Sequence, residues 1–147
     1  MKKVIITIIV TLCAVSVFGA ENNPREIFIL NTTRGIEKGF DLAKKRITPE
    51  QREKIYKAAE VYADKVVAYA KAQGVYDEWA KQLMDAKNID YNYRALAAKN
   101  IDELLRINFE QLEYISETYP TMWENLTTTA AEKLSREFTT QLKEIIK

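Results

Sequence analysis

From residue 24 onward, apolar residues recur at steps of three and four, and no stretch alternates apolar with polar as a half-buried strand would. Ile29, Thr33, Ile36, Phe40, Ala43 and Ile47 fall on one side of a helix predicted over residues 24–46. A second helix is predicted over residues 49–73. There Ile55, Ala59, Tyr62, Val66 and Tyr69 share a side, widened by Tyr56, Ala63 and Val67, with Lys57, Glu60, Asp64 and Lys71 opposite. A short helix over residues 77–86 would turn Trp79, Leu83 and Met84 inward. The next, over residues 90–118, carries Ala97, Ile101, Leu104, Leu105, Leu112 and Ile115 on its main face. The last, over residues 122–146, faces Trp123, Ala130, Leu134, Phe138, Leu142 and Ile145 inward. The expected fold class is all-α, a single-domain bundle of four long helices plus one short helix.

Start and stop signals support these elements. Asn23, Pro24 and Glu26 have the form of an N-cap, a first-turn proline and a first-turn acid, and Thr48, Pro49 and Gln51 repeat it. Thr121 with Glu124 predicts a third capped start, Asp90 a weak one, and Asn100 a fresh start that would break the fourth helix once. Gly74 is placed to close the second helix. Thr32, Gly35, Gly39 and Ala43 make a small-residue strip suited to close approach of a neighbouring helix.

The first twenty residues change the picture. Lys2 and Lys3 precede an apolar run from Val4 to Phe18, and Gly19 and Ala20 then meet polar sequence, the layout of a cleavable secretory signal peptide. A membrane span needs roughly 20 apolar residues, and this run is shorter. Residues 1–20 are therefore expected to be removed, after Gly19 or Ala20, leaving 21–147 as one exported domain with no stable span, periplasmic or secreted. Its 22 basic residues lose Lys2 and Lys3 and become 20 against 21 acidic ones, and the lone Cys13 goes with the leader. No nucleic-acid partner is expected of a chain without basic excess, and no disulfide can form in the mature domain.

Candidate chemistry is sparse. The sequence has no histidine, which removes histidine-dependent triads, the usual catalytic zinc sites and the Glu-x-x-His pattern of di-iron bundles. The mature chain keeps three glycines, with no phosphate-binding loop. Carboxylates such as Glu60, Asp64, Asp77, Glu78, Asp85, Glu110 and Glu113 lie on polar faces without a recognisable catalytic context. No cofactor, metal or catalytic residue is assigned, and the chain is expected not to be an enzyme.

Binding is the remaining class. Leu96, Ile107 and Tyr114 form a second apolar stripe away from the main face of the fourth helix, with Tyr93 between, and would mark a partner surface if uncovered. Tyr62 and Tyr69 at the edge of the second helix are further candidates, although a ring with its hydroxyl at a wet boundary suits plain packing too. Asn108 falls among apolar neighbours as a core amide or register-setting residue. Lys44, Lys45, Arg46, Arg52 and Lys54 gather around the first inter-helix turn, either as a solvated, dipole-compensating turn or as a patch for an acidic partner or lipid headgroups.

The run "ITPEQ", Ile47 to Gln51, is similar to the LTxxQ motif of the Spy/CpxP family of periplasmic helical chaperones, with isoleucine for leucine. The resemblance covers five residues, and it implies an exported helical protein that binds unfolded chains or a sensor on a concave face, as a dimer. From the leader, the missing catalytic context and the second apolar stripe, the function expected is non-catalytic protein–protein interaction in a bacterial periplasm, with another protein as partner and a homodimer open to it. The alternatives are a Spy/CpxP-like chaperone and a carboxylate-dependent cell-wall hydrolase using Glu110 and Glu113.

Overall fold

The computed structural model of the chain describes residues 23–147. The leader expected over residues 1–20, with Cys13, lies outside the described residues. What is described is all-α: α1 Pro24–Leu42, α2 Pro49–Ala72, α3 Tyr76–Leu83, α4 Ala86–Leu96, α5 Ile101–Thr118, α6 Pro120–Leu126 and α7 Thr129–Ile145. Among the described residues no strand occurs and no helix is long and apolar enough to cross a membrane. In place of four long helices and one short, the described residues form four of 17 to 24 residues and three of 7 to 11.

Local chemistry sets most boundaries. Asn23 caps α1 by accepting the Glu26 N–H, and Thr48 and Gln51 close a full capping box on α2. At the end of α2 Gly74 sits at φ 71°, the Gly74 N–H reaches the Lys71 carbonyl and the Val75 N–H reaches Ala70. That is a Schellman stop, with Val75 and Ala70 both buried as its apolar contact. The same motif ends α1 four residues before the predicted boundary. Lys44 adopts φ 56° and donates to Asp41, and Lys45 donates to Phe40. A lysine in this left-handed conformation costs about 1–2 kcal/mol that glycine would not. Lys44→Gly is accordingly expected to raise the unfolding free energy by about 1 kcal/mol, and an unchanged or lower urea midpoint would refute it.

The break expected at Asn100 is present: Asn100 caps α5 by accepting the Glu103 N–H. Three predicted features are corrected. Asp90 does not cap a helix; it lies inside α4, whose cap is Asp85. Thr121 does not cap the last helix: Pro120 opens α6 without a side-chain cap, and α7 restarts at Thr128, which accepts the Ala131 N–H. A Cβ on Gly39 would meet nothing within 4 Å, so the small-residue strip is not a close helix contact there.

Helix α2 packs along both α1 and α7, α4 pairs with α5, and the short α3 and α6 join the two groups. The larger core unites Phe28, Ile29, Tyr62, Trp79, Ile115, Met122 and Phe138. A smaller one holds Ala95, Ala98, Leu104 and Ile107, with Leu42 of α1 against it. On the outside, Arg25 at the start of α1 reaches Asp64 of α2 at 2.6 Å, and its hydrogen bond holds that carboxyl below its usual range. An exposed pair of this kind adds little stability.

Candidate functional site

Helices α4 and α5 form an antiparallel hairpin over a four-residue turn, and its seam is unusually polar. Asn88, Asn92, Asn108 and Gln111 are all buried. Gln111 Nε2 donates to Asn88 Oδ1 at 3.0 Å and to Asn92 Oδ1 at 2.7 Å, and Asn88 Nδ2 donates to the Gln82 carbonyl at 2.9 Å. These bonds fix register, because a slip would leave Asn88, Asn92 and the Gln111 Nε2 unpaired at a cost of about 1–3 kcal/mol each.

One flank of the hairpin is closed by charge and aromatic contacts. Arg94 meets Glu110, the Tyr91 and Tyr114 rings lie 6.0 Å apart, and the Lys87 ammonium sits 4.6 Å from the centre of the Tyr114 ring. At its end Asp85 Oδ1 accepts the Lys87 and Asn88 N–H groups, and Oδ2 accepts the hydroxyls of Tyr114, at 2.8 Å, and Tyr119. Burial by itself would raise the Asp85 carboxyl; the Tyr119, Tyr114 and backbone hydrogen bonds outweigh it and hold the group below the ordinary carboxylate range. Burial, then donation to Asp85 and its negative charge, push both tyrosine hydroxyls up. A carboxylate with both oxygens doubly occupied and its proton held off is poorly suited to general acid or base work. Its role is to lock α4 to α5 and α6.

The opposite flank is apolar and open. On α5, Ile101, Leu105, Phe109 and Leu112 follow one another at steps of four, four and three, outside the packed face of Leu104, Ile107, Asn108, Gln111 and Ile115. On α4, Ile89, Tyr93 and Leu96 lie at the corresponding register. Because Arg94–Glu110 and Tyr91–Tyr114 bridge the first flank, the helical repeat puts these two rows together on the other. Phe109 is 53% exposed, Tyr93 49% and Ile101 38%, while Leu96, Leu105, Leu112 and Ile89 are half-buried. Asp90, Asp102, Glu113 and Arg106 are exposed along its rim, and Arg106 is paired with Glu110.

No family model, curated protein or solved structure matches this chain. The letters of the "ITPEQ" run are accounted for locally. Thr48 and Gln51 exchange the two capping hydrogen bonds at 3.0 and 3.1 Å, and Gln51 Nε2 also donates to the Ile145 carbonyl at 3.3 Å, tying α2 to the end of α7.

The residues expected to bind a partner are dispersed. Ile107 is 2% exposed and Tyr62 5%, so both are core: Ile107 faces the hairpin seam, and Tyr62 stacks on Phe138 at 4.7 Å and leans on Phe28. Tyr114 is half-buried against Asp85, and Tyr69 is half-buried with its hydroxyl 2.7 Å from Thr128 Oγ1 at the start of α7. Leu96 is the one that lies on the open flank. Met84 and Ala97, expected inside, are exposed. The stripe taken as buried, Ile101, Leu105 and Leu112, is instead the open one, and Phe109 within it was missed. The displacement has a physical cause: Gln111, 1% exposed and bonded to Asn88 and Asn92 of α4, is buried beside Leu104 and Ile107 and turns that side of α5 inward. The signal available in the sequence was Phe109 itself, an aromatic residue continuing the row Ile101, Leu105 at four-residue spacing.

Glu110, one of the two carboxylates considered for hydrolysis, is shared by Arg94 at 3.5 Å and Arg106 at 2.9 Å; Glu113 is exposed on the same helix.

Proposed function

We propose that this chain is an exported, non-catalytic helical protein that acts by binding another protein along the open flank of the α4/α5 hairpin. Residues 21–147 form one domain in this reading, with the four longer helices as its frame. The observation that carries the proposal is the run Ile101, Leu105, Phe109, Leu112 left outward on a helix already paired through another face. Two parallel rows of apolar side chains on adjacent helices make a shallow trough, the shape that receives the apolar face of an amphipathic helix. The rim favours a basic partner, since Asp90, Asp102 and Glu113 outnumber the already paired Arg106. Export rests on the leader pattern of the first twenty residues. The filled coordination of Asp85 and the ion-paired state of Glu110 support the non-catalytic part.

The test is a photo-crosslinking residue placed at Phe109 or Tyr93 in the full chain expressed with its leader. A discrete crosslinked protein is expected from both positions and none from exposed Lys133 on α7. Equal labelling from Lys133, or none from Phe109, would overturn the assignment, and a crosslink to many unfolded chains would convert it to a chaperone role. Phe109→Ser should abolish the partner band while lowering stability by only about 1 kcal/mol, because the ring is half outside already.

A further inference from the structure

A groove of about 520 Å³ opens where the end of α1 and the turn after it meet the end of α4. Its wall is amphipathic. Phe40, Ile47 and Leu96, all half-buried, supply apolar surface. Arg34, Lys38, Lys45 and Arg46 also line it, and none of these four makes an ion pair among the described residues. The acids present do not cancel them. Glu37 is engaged by Arg52 at 2.8 Å, which leaves Asp41 alone against four cations. Elsewhere on the described surface some lysines and arginines are paired, as in Lys54–Glu50, Lys57–Glu53, Lys65–Glu137 and Arg136–Glu132, and others stand singly. What marks this groove is clustering: in a mature chain of net charge −1, four cations without an ion pair among the described residues gather beside one apolar wall.

The backbone adds an independent observation. Lys44, at φ 56°, keeps a conformation that glycine would adopt without strain, and it directly precedes Lys45 and Arg46 in the groove wall. The Schellman hydrogen bonds to Asp41 and Phe40 fix that turn, so Lys45 and Arg46 leave a defined point beside the groove. Strain of this kind collects where position matters to function.

We infer that this groove binds an anionic amphiphile: a phosphate monoester or diester head carried on a short alkyl chain. Guanidinium and ammonium groups from α1 and from the following turn take the phosphate oxygens through charge-assisted hydrogen bonds, and the chain lies along Phe40, Ile47 and Leu96. The volume falls within the range of sites for small organic ligands. The same chemistry is offered by a free alkyl phosphate and by an anionic phospholipid at a membrane surface.

Calorimetric titration of the mature chain with octyl phosphate, kept below its micelle concentration, separates these terms. Saturable one-to-one binding is expected, stronger than that of inorganic phosphate because the alkyl chain contributes, and absent for the neutral octyl glucoside. The double variant R34Q/K38Q, altered only at partly or fully exposed positions, should bind octyl phosphate about tenfold or more weakly with an unchanged circular dichroism spectrum. Phe109→Ser should bind it as the parent does, which separates this site from the protein-binding flank, with which it shares only Leu96. Co-sedimentation with phosphatidylglycerol vesicles, lost in R34Q/K38Q, would assign the ligand to a membrane; octyl phosphate binding without vesicle binding would assign it to a free molecule. Equal affinity for octyl glucoside, no saturable octyl phosphate binding, or a double variant that binds normally would overturn the inference.

Discussion

Phe28→Ala is expected to lower the unfolding free energy by about 4 kcal/mol, a large share of the 5–15 kcal/mol that holds a typical domain. Phe28 is 3% exposed, and its ring lies 5.4 Å from that of Tyr62 on α2 and 5.7 Å from that of Trp79 on α3. It therefore joins three helices at one point. Truncation removes the ring's own burial, takes an edge partner from both neighbours and leaves a cavity that three rigid elements cannot close. Denaturant unfolding followed by tryptophan fluorescence measures the loss directly, since Trp79 lies at the site. A shift equivalent to less than about 1 kcal/mol, well under the usual cost of an aromatic deletion, would show that Phe28 is not at a packed junction.

Asp85→Ala should cost about 3 kcal/mol near neutral pH, from two sources. It removes the N-cap of α4, and it strands the hydroxyls of Tyr114 and buried Tyr119 without their acceptor. The pH dependence distinguishes this from a general packing loss. The folded Asp85 carboxyl lies below its unfolded value, so its contribution is fully present above about pH 4 and is lost as pH falls through the folded value. Tyr114 and Tyr119 are displaced the other way, so their share is present below about pH 10 and is lost as pH rises through their folded values. The stability gap between parent and variant should thus be flat across neutral pH and narrow at both ends. A gap that stays constant from pH 7 down to about pH 2, below the ordinary carboxylate range, would rule out the carboxylate as its source.

What was legible in the sequence, and what was not, divides along physical lines. Capping is local chemistry. The roles of Asn23, Thr48, Gln51 and Gly74 depend on neighbours within a few residues, and each is where the residue order places it. The inward side of α2 was equally legible, because Ile55, Ala59, Tyr62 and Ala63 leave no competing apolar row on that helix. Phe28 was not: it lies about 100° from Ile29, off the single face that periodicity selects. It is buried because α1 packs on α2 and α3 together. Lys44 could not be foreseen as a helix stop, since nothing in a lysine favours the left-handed region.

The sequence by itself determined the helical class, most helix starts, the apolar side of α2, the absence of histidine chemistry and the leader-like first twenty residues. Tertiary structure alone decided which side of α5 is covered. Amides bonded to one another can fill a helix seam, and a one-dimensional count of apolar residues assigns them to water. Gln111, bonded to Asn88 and Asn92, lies inside in this way, next to Asn108, whose place among apolar neighbours was legible, and Phe109 and Leu105 are on the open flank. Tertiary structure also brought Arg34 and Lys38 of α1, neither ion-paired among the described residues, beside Leu96, more than forty positions further along the chain.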